Sequence, residues 1–176
     1  NPYDAKGLLK SSIRDNNPVI FMESEQMYGD KGMIPNEEYV IPIGKAKIVK
    51  EGSDVTIVSY GKMMKVILDA DIELNQENIF PELIDLRTLR PMDYNLIIES
   101  VKKTNRLIIV EESWPLGSIS SDISYKIQKD AFDYLDAPIQ RICGADTPMA
   151  YSPTLVDEFL PNKKDVILKV KEVMYL

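Results

Sequence analysis

The sequence predicts an α/β fold: a mostly parallel β-sheet covered by helices on both faces, a three-layer sandwich, preceded by one helix and one strand. Two observations indicate the sandwich. Short continuous apolar runs, which are typical of buried parallel strands, alternate with segments whose apolar residues recur at helical spacing. In addition, 44% of the 176 residues are hydrophobic, which is enough for a packed core.

The chain opens with a predicted helix at residues 4–14, with Asp4 as its N-cap. The Asp-Asn-Asn-Pro sequence at residues 15–18 ends this helix, because asparagine favours turns and proline disfavours a helical residue before it. Residues 19–22 form a continuous apolar run and predict a buried parallel strand. One helix and one strand are only half of a βαβ unit, so the strands beside this one are expected outside the chain.

Residues 26–42 predict a boundary between two domains. They contain two Gly, two Pro and mixed charges, and they show no sustained periodicity. A stretch of this length without regular structure usually connects domains or carries function. We therefore interpret residues 1–25 as the end of one domain, residues 26–42 as a linker and residues 43–176 as a second domain.

The second domain is expected to alternate strands with helices. Its first two strands, at residues 46–49 and 55–59, are separated by a Lys-Glu-Gly-Ser sequence that predicts a hairpin turn. Asp93 is the expected N-cap of one of its helices. Further strands are expected at residues 83–86, 107–110 and 139–142, and helices at residues 63–74, 94–101, 118–129 and 164–174.

The composition excludes several classes of function. With 21 Lys and Arg against 28 Asp and Glu, the net charge is −7, so no basic surface for nucleic acid is expected. One Cys excludes a disulfide framework, and the absence of His excludes histidine-dependent nucleophiles and metal ligands in this chain. No signal peptide or membrane span is visible. Since the chain opens on Asn1 rather than Met, we expect a fragment or a processed chain of soluble intracellular origin.

The glycine positions argue against a phosphate-binding loop. The eight glycines include no G-x-G pair and no Gly-Lys-Ser/Thr sequence after a strand. Backbone cradles for nucleotide phosphates use such spacings, because glycine lets the backbone approach the phosphates closely. The domain is therefore not expected to hold a nucleotide by its backbone.

Two polar sequences follow predicted strands. Glu111 and Glu112 follow the most apolar strand, at the edge where α/β sheets place ligands, and predict either a polar site or interface or a solvated strand end. Arg87 and Arg90 lie between a strand and a capped helix. From the residues alone, they predict a turn in which one of the two arginines pairs with a nearby carboxylate.

Trp114 and Cys143 are the other residues of interest. Trp114 precedes a proline and predicts either an interface anchor or a partly buried loop residue. Cys143 follows an apolar residue at the end of a predicted strand, so a buried small side chain is expected rather than a reactive thiol.

Three motifs together resemble the transketolase C-terminal domain family. They are DLRTLRPMD at residues 85–93, IGKAKIV at residues 43–49 continued by SDVTIVSYG at residues 53–61, and ADTPMAYSPTLVDEFL at residues 145–160. The opening residues 4–28, with IRDNNPV and ESE, are similar to the beta subunits of thiamine-diphosphate-dependent pyruvate dehydrogenases. The resemblance covers essentially the whole chain in the family's order.

This resemblance implies decarboxylation of pyruvate on thiamine diphosphate and transfer of the acetyl group to a lipoyl group. In the family, the alpha subunit holds the diphosphate and its magnesium, and the catalytic Glu lies upstream in a pyrimidine-binding domain whose end matches residues 1–25. No catalytic or cofactor-binding residue is therefore expected here, and Glu23, Glu25 and Glu111 are not candidates. Residues 43–176 match the transketolase C-terminal domain.

The resemblance also implies a potassium ion in the corner between the first helix and the first strand. The matching positions are the backbone carbonyls of Ser12 and Ile13, together with Asp15 and Asn17. Oxygen ligands suit a hard cation, and a helix C-terminus offers unpaired carbonyls with partial negative charge. A helix-ending Asx turn is the alternative interpretation of these residues.

The partners implied are an alpha subunit, a second beta subunit and the basic subunit-binding domain of a dihydrolipoyl acetyltransferase, which the acidic charge suits. Beta subunits of branched-chain 2-oxoacid and acetoin dehydrogenases share the fold and are alternatives, as is a stand-alone assembly module. The expected location is the cytoplasm of a bacterium or the mitochondrial matrix of a eukaryote.

Overall fold

The computed structural model describes all 176 residues and contains a five-stranded sheet with the strand order β1-β3-β2-β4-β5. The strands are β1 (Lys47–Lys50), β2 (Val55–Ser59), β3 (Pro81–Asp85), β4 (Leu107–Val110) and β5 (Gln140–Ile142). The helices are α1 (Pro2–Arg14), α2 (Met63–Gln76), α3 (Tyr94–Thr104), α4 (Ile119–Asp130), α5 (Pro153–Phe159) and α6 (Lys163–Met174). The alternation of strands with helices confirms the predicted α/β class.

The sheet is mostly parallel, as expected. Strand β2 lies at its centre and pairs in parallel with β3 and β4, and β4 pairs in parallel with β5. Strand β1 runs antiparallel to β3, with Lys47 opposite Asp85. The predicted hairpin between the first two strands is therefore wrong. Both edges of β2 are occupied by β3 and β4, which leaves the outer edge of β3 for β1.

Apolar side chains of the central strand alternate between the two faces of the sheet and build two cores. On one face, Ile57 belongs to a cluster of 16 buried residues that includes residues of α2 and α6. On the other face, Val58 belongs to a cluster of 10 buried residues that includes residues of α3 and α4. Because both faces are buried, the strands are continuous apolar runs. This arrangement confirms the three-layer sandwich.

Helix α1 begins two residues earlier than predicted and has a different cap. Pro2 occupies its first turn, where proline is favoured, and the side chain of Asn1 accepts a hydrogen bond from the backbone N–H of Asp4 at 2.9 Å. Asp4 is therefore not the N-cap. Its carboxylate accepts a hydrogen bond from Asn1 Nδ2 at 2.7 Å and is almost fully buried.

Residues 19–22 do not form the expected strand. Ile20 is 89% exposed and Met22 is 84% exposed, and the segment makes no backbone–backbone hydrogen bond. A strand exists only when a neighbouring strand pairs with its N–H and C=O groups, and no strand of this chain lies beside these residues. The apolar run is therefore extended and unpaired.

Residues 26–42 return along α1. The ring of Tyr39 stacks on Tyr3, with the ring centroids 4.5 Å apart. The backbone N–H of Ile41 donates to the carbonyl oxygen of Gly7 at 3.2 Å, and the side chain of Ile41 is buried at this contact. The segment thus packs on α1, while the domain limits at residues 25 and 43 stay a prediction.

Two further details differ from the sequence analysis. The short helix α5 was not expected. Asp93 precedes α3, but its side chain does not cap the helix. Instead, its carboxylate accepts a hydrogen bond from the backbone N–H of Ala46 at 3.3 Å and lies 3.7 Å from Lys45 Nζ.

None of the helices combines the length and the apolar character that crossing a membrane requires.

Candidate functional site

The carboxyl ends of the parallel strands meet at one edge of the sheet, where α/β folds place their ligands. Tyr60 follows β2, Glu111 follows β4 and Cys143 follows β5. These side chains come from positions as far as 83 residues apart in the sequence, yet hydrogen bonds join them in one cluster, which we call the edge cluster. It also includes Ser118 and Ser120 at the start of α4.

Glu111 is the centre of the edge cluster and is completely buried. Its Oε2 accepts a hydrogen bond from the hydroxyl of Tyr60 at 2.9 Å, and its Oε1 accepts one from the backbone N–H of Ser120 at 3.1 Å. Burial acts to raise the pKa of Glu111, but hydrogen bonds from Ser120, Ser118 and Tyr60 outweigh it and hold the pKa below its usual value. Glu111 is therefore an ionised buried carboxylate, and its interpretation as a solvated strand end is wrong.

The neighbours of Glu111 respond to its charge. Burial raises the pKa of the Tyr60 phenol, and the adjacent Glu111 carboxylate raises it further. Burial likewise raises the pKa of the Cys143 thiol, whose Sγ donates to Glu111 Oε1 at 3.7 Å. Both groups therefore stay protonated near neutral pH. The sequence predicted a buried side chain rather than a reactive thiol; Cys143 is half-buried, and its raised pKa disfavours the reactive thiolate.

Trp114 lies on the surface next to the edge cluster. Its side chain is 51% exposed, and its Nε1 donates to the carbonyl oxygen of Thr147 at 3.1 Å. Leu116, Met149 and Tyr151, in the same two loops, are also exposed. Trp114 is therefore a partly buried loop residue, and its role as an interface anchor stays a prediction.

Arg87, which lies just after β3, joins α1 to the part of the chain that forms the sheet. Its Nη2 lies 2.5 Å from Asp4 Oδ1 in a nearly buried ion pair, and its Nε has no hydrogen-bond partner. The backbone N–H of Arg87 donates to Asp85 Oδ1 at 3.0 Å, and burial raises the pKa of Asp85. The prediction that one arginine of this turn pairs with a carboxylate is confirmed for Arg87, whereas Arg90 is exposed.

The four residues expected to bind potassium lie at the end of α1 and in the turn after it. No backbone N–H donates to the carbonyl oxygens of Ser12 or Ile13. Asp15 Oδ1 accepts hydrogen bonds from the backbone N–H of Asn17 at 2.8 Å and from its Nδ2 at 2.9 Å, which lower the pKa of Asp15. This is the Asx turn of the alternative interpretation. Two free carbonyls and a carboxylate are nevertheless a donor set that fits a hard monovalent cation.

Thiamine diphosphate and magnesium do not fit the residues of this chain. No three His, Cys, Asp or Glu side chains lie close enough together to hold a metal ion. In this fold a phosphate would bind at the N-terminus of the helix that follows a central strand. Here that helix is α4, and the Glu111 carboxylate accepts the backbone N–H of Ser120 in its first turn. That the chain contributes no cofactor-binding residue stays a prediction.

The C-terminal end of the chain forms a second polar surface. Tyr175 and Leu176 are about three-quarters exposed, and the hydroxyl of Tyr175 donates to the carbonyl oxygen of Asp136 at 2.9 Å. A surface depression next to this contact is lined by Phe132, Leu135 and Asp136 among other residues. Exposed aromatic, aliphatic and acidic groups are thus grouped at one end of the molecule.

Three residues with contacts described above, Tyr60, Ser120 and Asp136, were not predicted from the sequence. The position of Tyr60 directly after a buried strand was a usable signal, because the carboxyl ends of neighbouring parallel strands meet at one edge. For Ser120 and Asp136, no local pattern indicated the contacts they make.

In a comparison with protein families, the model of "Transketolase, C-terminal domain" matches residues 44–166. Among curated proteins, the chain is 50% identical to "Pyruvate dehydrogenase E1 component subunit beta" of Rhizobium meliloti, over 99% of this chain and 39% of that protein. It is 49% identical to the protein of that name in Rickettsia felis, over 99% of this chain and 54% of the relative. It is 44% identical to "Acetoin:2,6-dichlorophenolindophenol oxidoreductase subunit beta" of Bacillus subtilis, over 99% of this chain and 51% of the relative.

Among solved structures, the chain resembles a split-gene transketolase, described as an inactive beta4 tetramer. The TM-score is 0.70 at 26% sequence identity, and the similarity covers 78% of this chain and 44% of that one. The chain thus spans about half the length, or less, of the proteins to which it is similar.

Proposed function

Because the chain belongs to the transketolase C-terminal domain family, we propose that it is part of the beta subunit of a pyruvate dehydrogenase component, which decarboxylates pyruvate and transfers the acetyl group to lipoyl groups. The observation that carries the proposal is the identity of about 50% over 99% of the chain with proteins of that name. In this proposal the chain supplies subunit assembly and docking rather than catalytic groups. Its location is the cytoplasm of a bacterium or the matrix of a mitochondrion.

The proposed assignment of domains follows from the same similarity. Residues 1–25 are the end of a pyrimidine-binding domain, residues 26–42 are the linker and residues 43–176 are the transketolase C-terminal domain. The exposed apolar residues 19–22 support this division, because a strand of this composition needs a sheet that the chain does not contain. In the longer protein, the upstream part of the same subunit supplies that sheet.

A potassium ion is the proposed occupant of the corner after α1. The free carbonyls of Ser12 and Ile13 would hold it at the negative end of the helix, with Asp15 and Asn17 as the other two ligands. The ion would compensate the charge of Asp15, whose carboxylate is exposed at the surface. Its role would be to hold the helix end and the following segment in place.

We expect the isolated chain to bind no thiamine diphosphate and to show no pyruvate decarboxylation, because it has neither a glycine-rich phosphate-binding loop nor a cluster of three acidic side chains that could hold magnesium. Titration calorimetry with thiamine diphosphate and magnesium measures this directly. The positive control is the longer beta subunit assembled with its alpha subunit, which should bind the cofactor and use pyruvate. A micromolar dissociation constant for the chain alone, about −8 kcal/mol, would contradict the proposed division of roles.

A beta subunit of an acetoin dehydrogenase is the second candidate. The identity of 44% over 99% of the chain with the acetoin enzyme of Bacillus subtilis supports it. A branched-chain 2-oxoacid dehydrogenase shares the fold. A substrate series on the assembled enzyme, with pyruvate, acetoin and a branched-chain 2-oxoacid, distinguishes the three.

The proposed partners are an alpha subunit, a second beta subunit and the subunit-binding domain of a dihydrolipoyl acetyltransferase. That domain is a small basic module, and the chain carries a net charge of −7. Opposite charge speeds diffusional encounter, and local carboxylate–Arg pairs then hold the complex. The proposed contact surface consists of the exposed C-terminal residues, of which Tyr175 contacts Asp136, and of the exposed Asp133, three residues before Asp136.

We expect the association rate of the basic module to fall steeply with salt and the affinity to fall when Tyr175 and Leu176 are deleted. The reason is that charge steers the encounter while the C-terminal residues make contact. Surface plasmon resonance between about 50 and 300 mM salt measures both effects.

Two variants that each remove one negative charge supply the control for this experiment. Asp133→Asn removes a carboxylate at the proposed surface, and Asp69→Asn removes an exposed carboxylate from α2. Only Asp133→Asn should raise the dissociation rate. Indifference of the affinity to salt and to the deletion would place the docking surface elsewhere.

A further inference from the structure

The crevice between β2 and β4 is the natural ligand position of this sheet. The chain leaves β2 through α2 toward β3 on one side, whereas it leaves β4 through α4 toward β5 on the other side. The two helices lie on opposite faces, since α2 contributes to one core and α4 to the other. In open α/β sheets, ligands bind at this switch of direction, outside the carboxyl ends of the two strands.

Side chains of the protein fill this crevice. Glu111 extends from the end of β4, and Tyr60 contacts it from the end of β2. Ser120 contributes a backbone N–H from the first turn of α4, and Cys143 approaches from the end of β5. Donors from two strand ends and one helix thus converge on a single carboxylate, carried by the end of β4, that is completely buried.

We propose that Glu111 is a built-in anion, which occupies the position where related folds hold an anionic ligand and thereby closes the crevice. The first turn of α4 has backbone N–H groups without intrahelical partners, and they favour negative charge. In many α/β folds a phosphate supplies that charge. Here the carboxylate of Glu111 supplies it and satisfies Tyr60 at the same time. The low pKa of Glu111 agrees with this role.

The same contact positions the loop that carries Trp114. The loop leaves the sheet at Glu111 and ends at α4, and the hydrogen bond from Ser120 to Glu111 spans nine residues and joins its two ends. The half-exposed Trp114 lies between them. Glu111 is therefore a positioning residue for this loop. The role does not depend on which 2-oxoacid or acetoin enzyme the subunit serves.

Removal of the carboxylate should leave an opening for a small oxyanion. We expect Glu111→Ala in the full chain to unfold at a temperature lower by about 8 °C, because several donors lose their acceptor. Formate can take the place of the missing carboxylate. Sodium formate at about ten times its dissociation constant for the variant should therefore raise the thermal unfolding midpoint of Glu111→Ala by about 4 °C. The comparison is made against sodium chloride at equal ionic strength, and the wild-type midpoint should be the same in both salts.

Trp114 is the only tryptophan, so its fluorescence reports the loop directly. Acrylamide quenching of Trp114 should increase in Glu111→Ala, and formate should reverse the increase. If Glu111 served only general packing, Glu111→Ala would lower the thermal unfolding midpoint, but formate would not reverse the increase in Trp114 quenching. If Glu111→Ala does not fold in chloride, refolding in formate is the measurement, and a chain unfolded in both salts contradicts the proposal.

Two variants serve as controls. Glu112→Ala removes the same charge one residue further along, from a side chain that makes no hydrogen bond, and should change the midpoint by about 2 °C or less with no response to formate. Glu111→Gln keeps the volume of the side chain and leaves no opening, so formate should not change its thermal unfolding midpoint. A response of either control equal to that of Glu111→Ala would overturn the proposal, because the effect of formate would then be unrelated to the crevice.

Discussion

Replacement of Arg87 by alanine should lower the free energy of unfolding by about 3 kcal/mol and release α1 from the turn after β3. The guanidinium of Arg87 forms the ion pair with Asp4, and both side chains are almost completely buried. Without Arg87, the Asp4 carboxylate stays buried near Asp85 with only the Asn1 side chain and its own helix as partners. Loss of one partner of a buried pair is costly because the other charge is left uncompensated.

Hydrogen exchange locates the effect of Arg87→Ala. Amides of α1 should lose most of their protection through local opening. Amides of the central strands β2 and β4 should stay the best protected and lose no more protection than the fall in the free energy of unfolding accounts for. The matched control is Lys163→Ala, which breaks a half-exposed pair with Glu73 and should cost about 1 kcal/mol or less. Equal losses of stability in the two variants, or unchanged protection of α1, would show that the Arg87–Asp4 pair does not hold the helix.

Replacement of Gly52 by alanine should cost about 3 kcal/mol. A Cβ at this position would come closer than 3.0 Å to the backbone of Pro81 and Glu82, at the start of β3. These backbone atoms are fixed, because the N–H groups of Ser53 and Asp54 both donate to the carbonyl oxygen of Phe80, at 2.9 and 3.2 Å. The added methyl group therefore forces the turn away from β3 and weakens the pairing that orders the sheet.

Gly29→Ala is the control for the Gly52 variant. A Cβ at Gly29 meets no atom within 4 Å, so the substitution should be neutral or stabilise by less than about 1 kcal/mol through the unfolded chain. Urea unfolding measures both variants. The midpoint of Gly52→Ala should fall with little change in the slope. If Gly52→Ala were as stable as Gly29→Ala, the turn at residue 52 could shift away from β3 without loss of stability, and the prediction would be wrong.

The α/β class could be predicted because each segment carries its own signal. Strand β4 is a continuous apolar run, and the buried residues of α6 recur at the spacing of one helix face. Burial of both sheet faces requires these patterns, so they are present before any tertiary contact is known. The pairing of β1 was not predictable in this way. A short strand followed by a turn suits a hairpin equally well, and the choice depends on which strand edges are free in the folded sheet.

The candidate site also combines features that local sequence predicts with features that only the folded chain shows. The position of Glu111 at the end of a buried strand indicated a polar site or a solvated end, and local sequence could not decide between them. The decision depended on Tyr60, 51 residues away, and on the start of α4, which enclose the carboxylate. Similarly, the arginines of residues 85–93 indicated an ion pair, but the partner of Arg87 is Asp4, 83 residues earlier.

The amino-acid sequence was sufficient to predict the layer architecture, to exclude histidine chemistry and a glycine-rich phosphate loop, and to indicate the resemblance that the family comparison confirmed. Those features depend on residue types and on short-range periodicity, which are local properties. The tertiary structure alone decided which charges are buried and what compensates them. Desolvation and hydrogen-bond partners depend on where distant parts of the chain meet, so a buried Glu111 and an exposed apolar run at residues 19–22 could be distinguished only in the folded molecule.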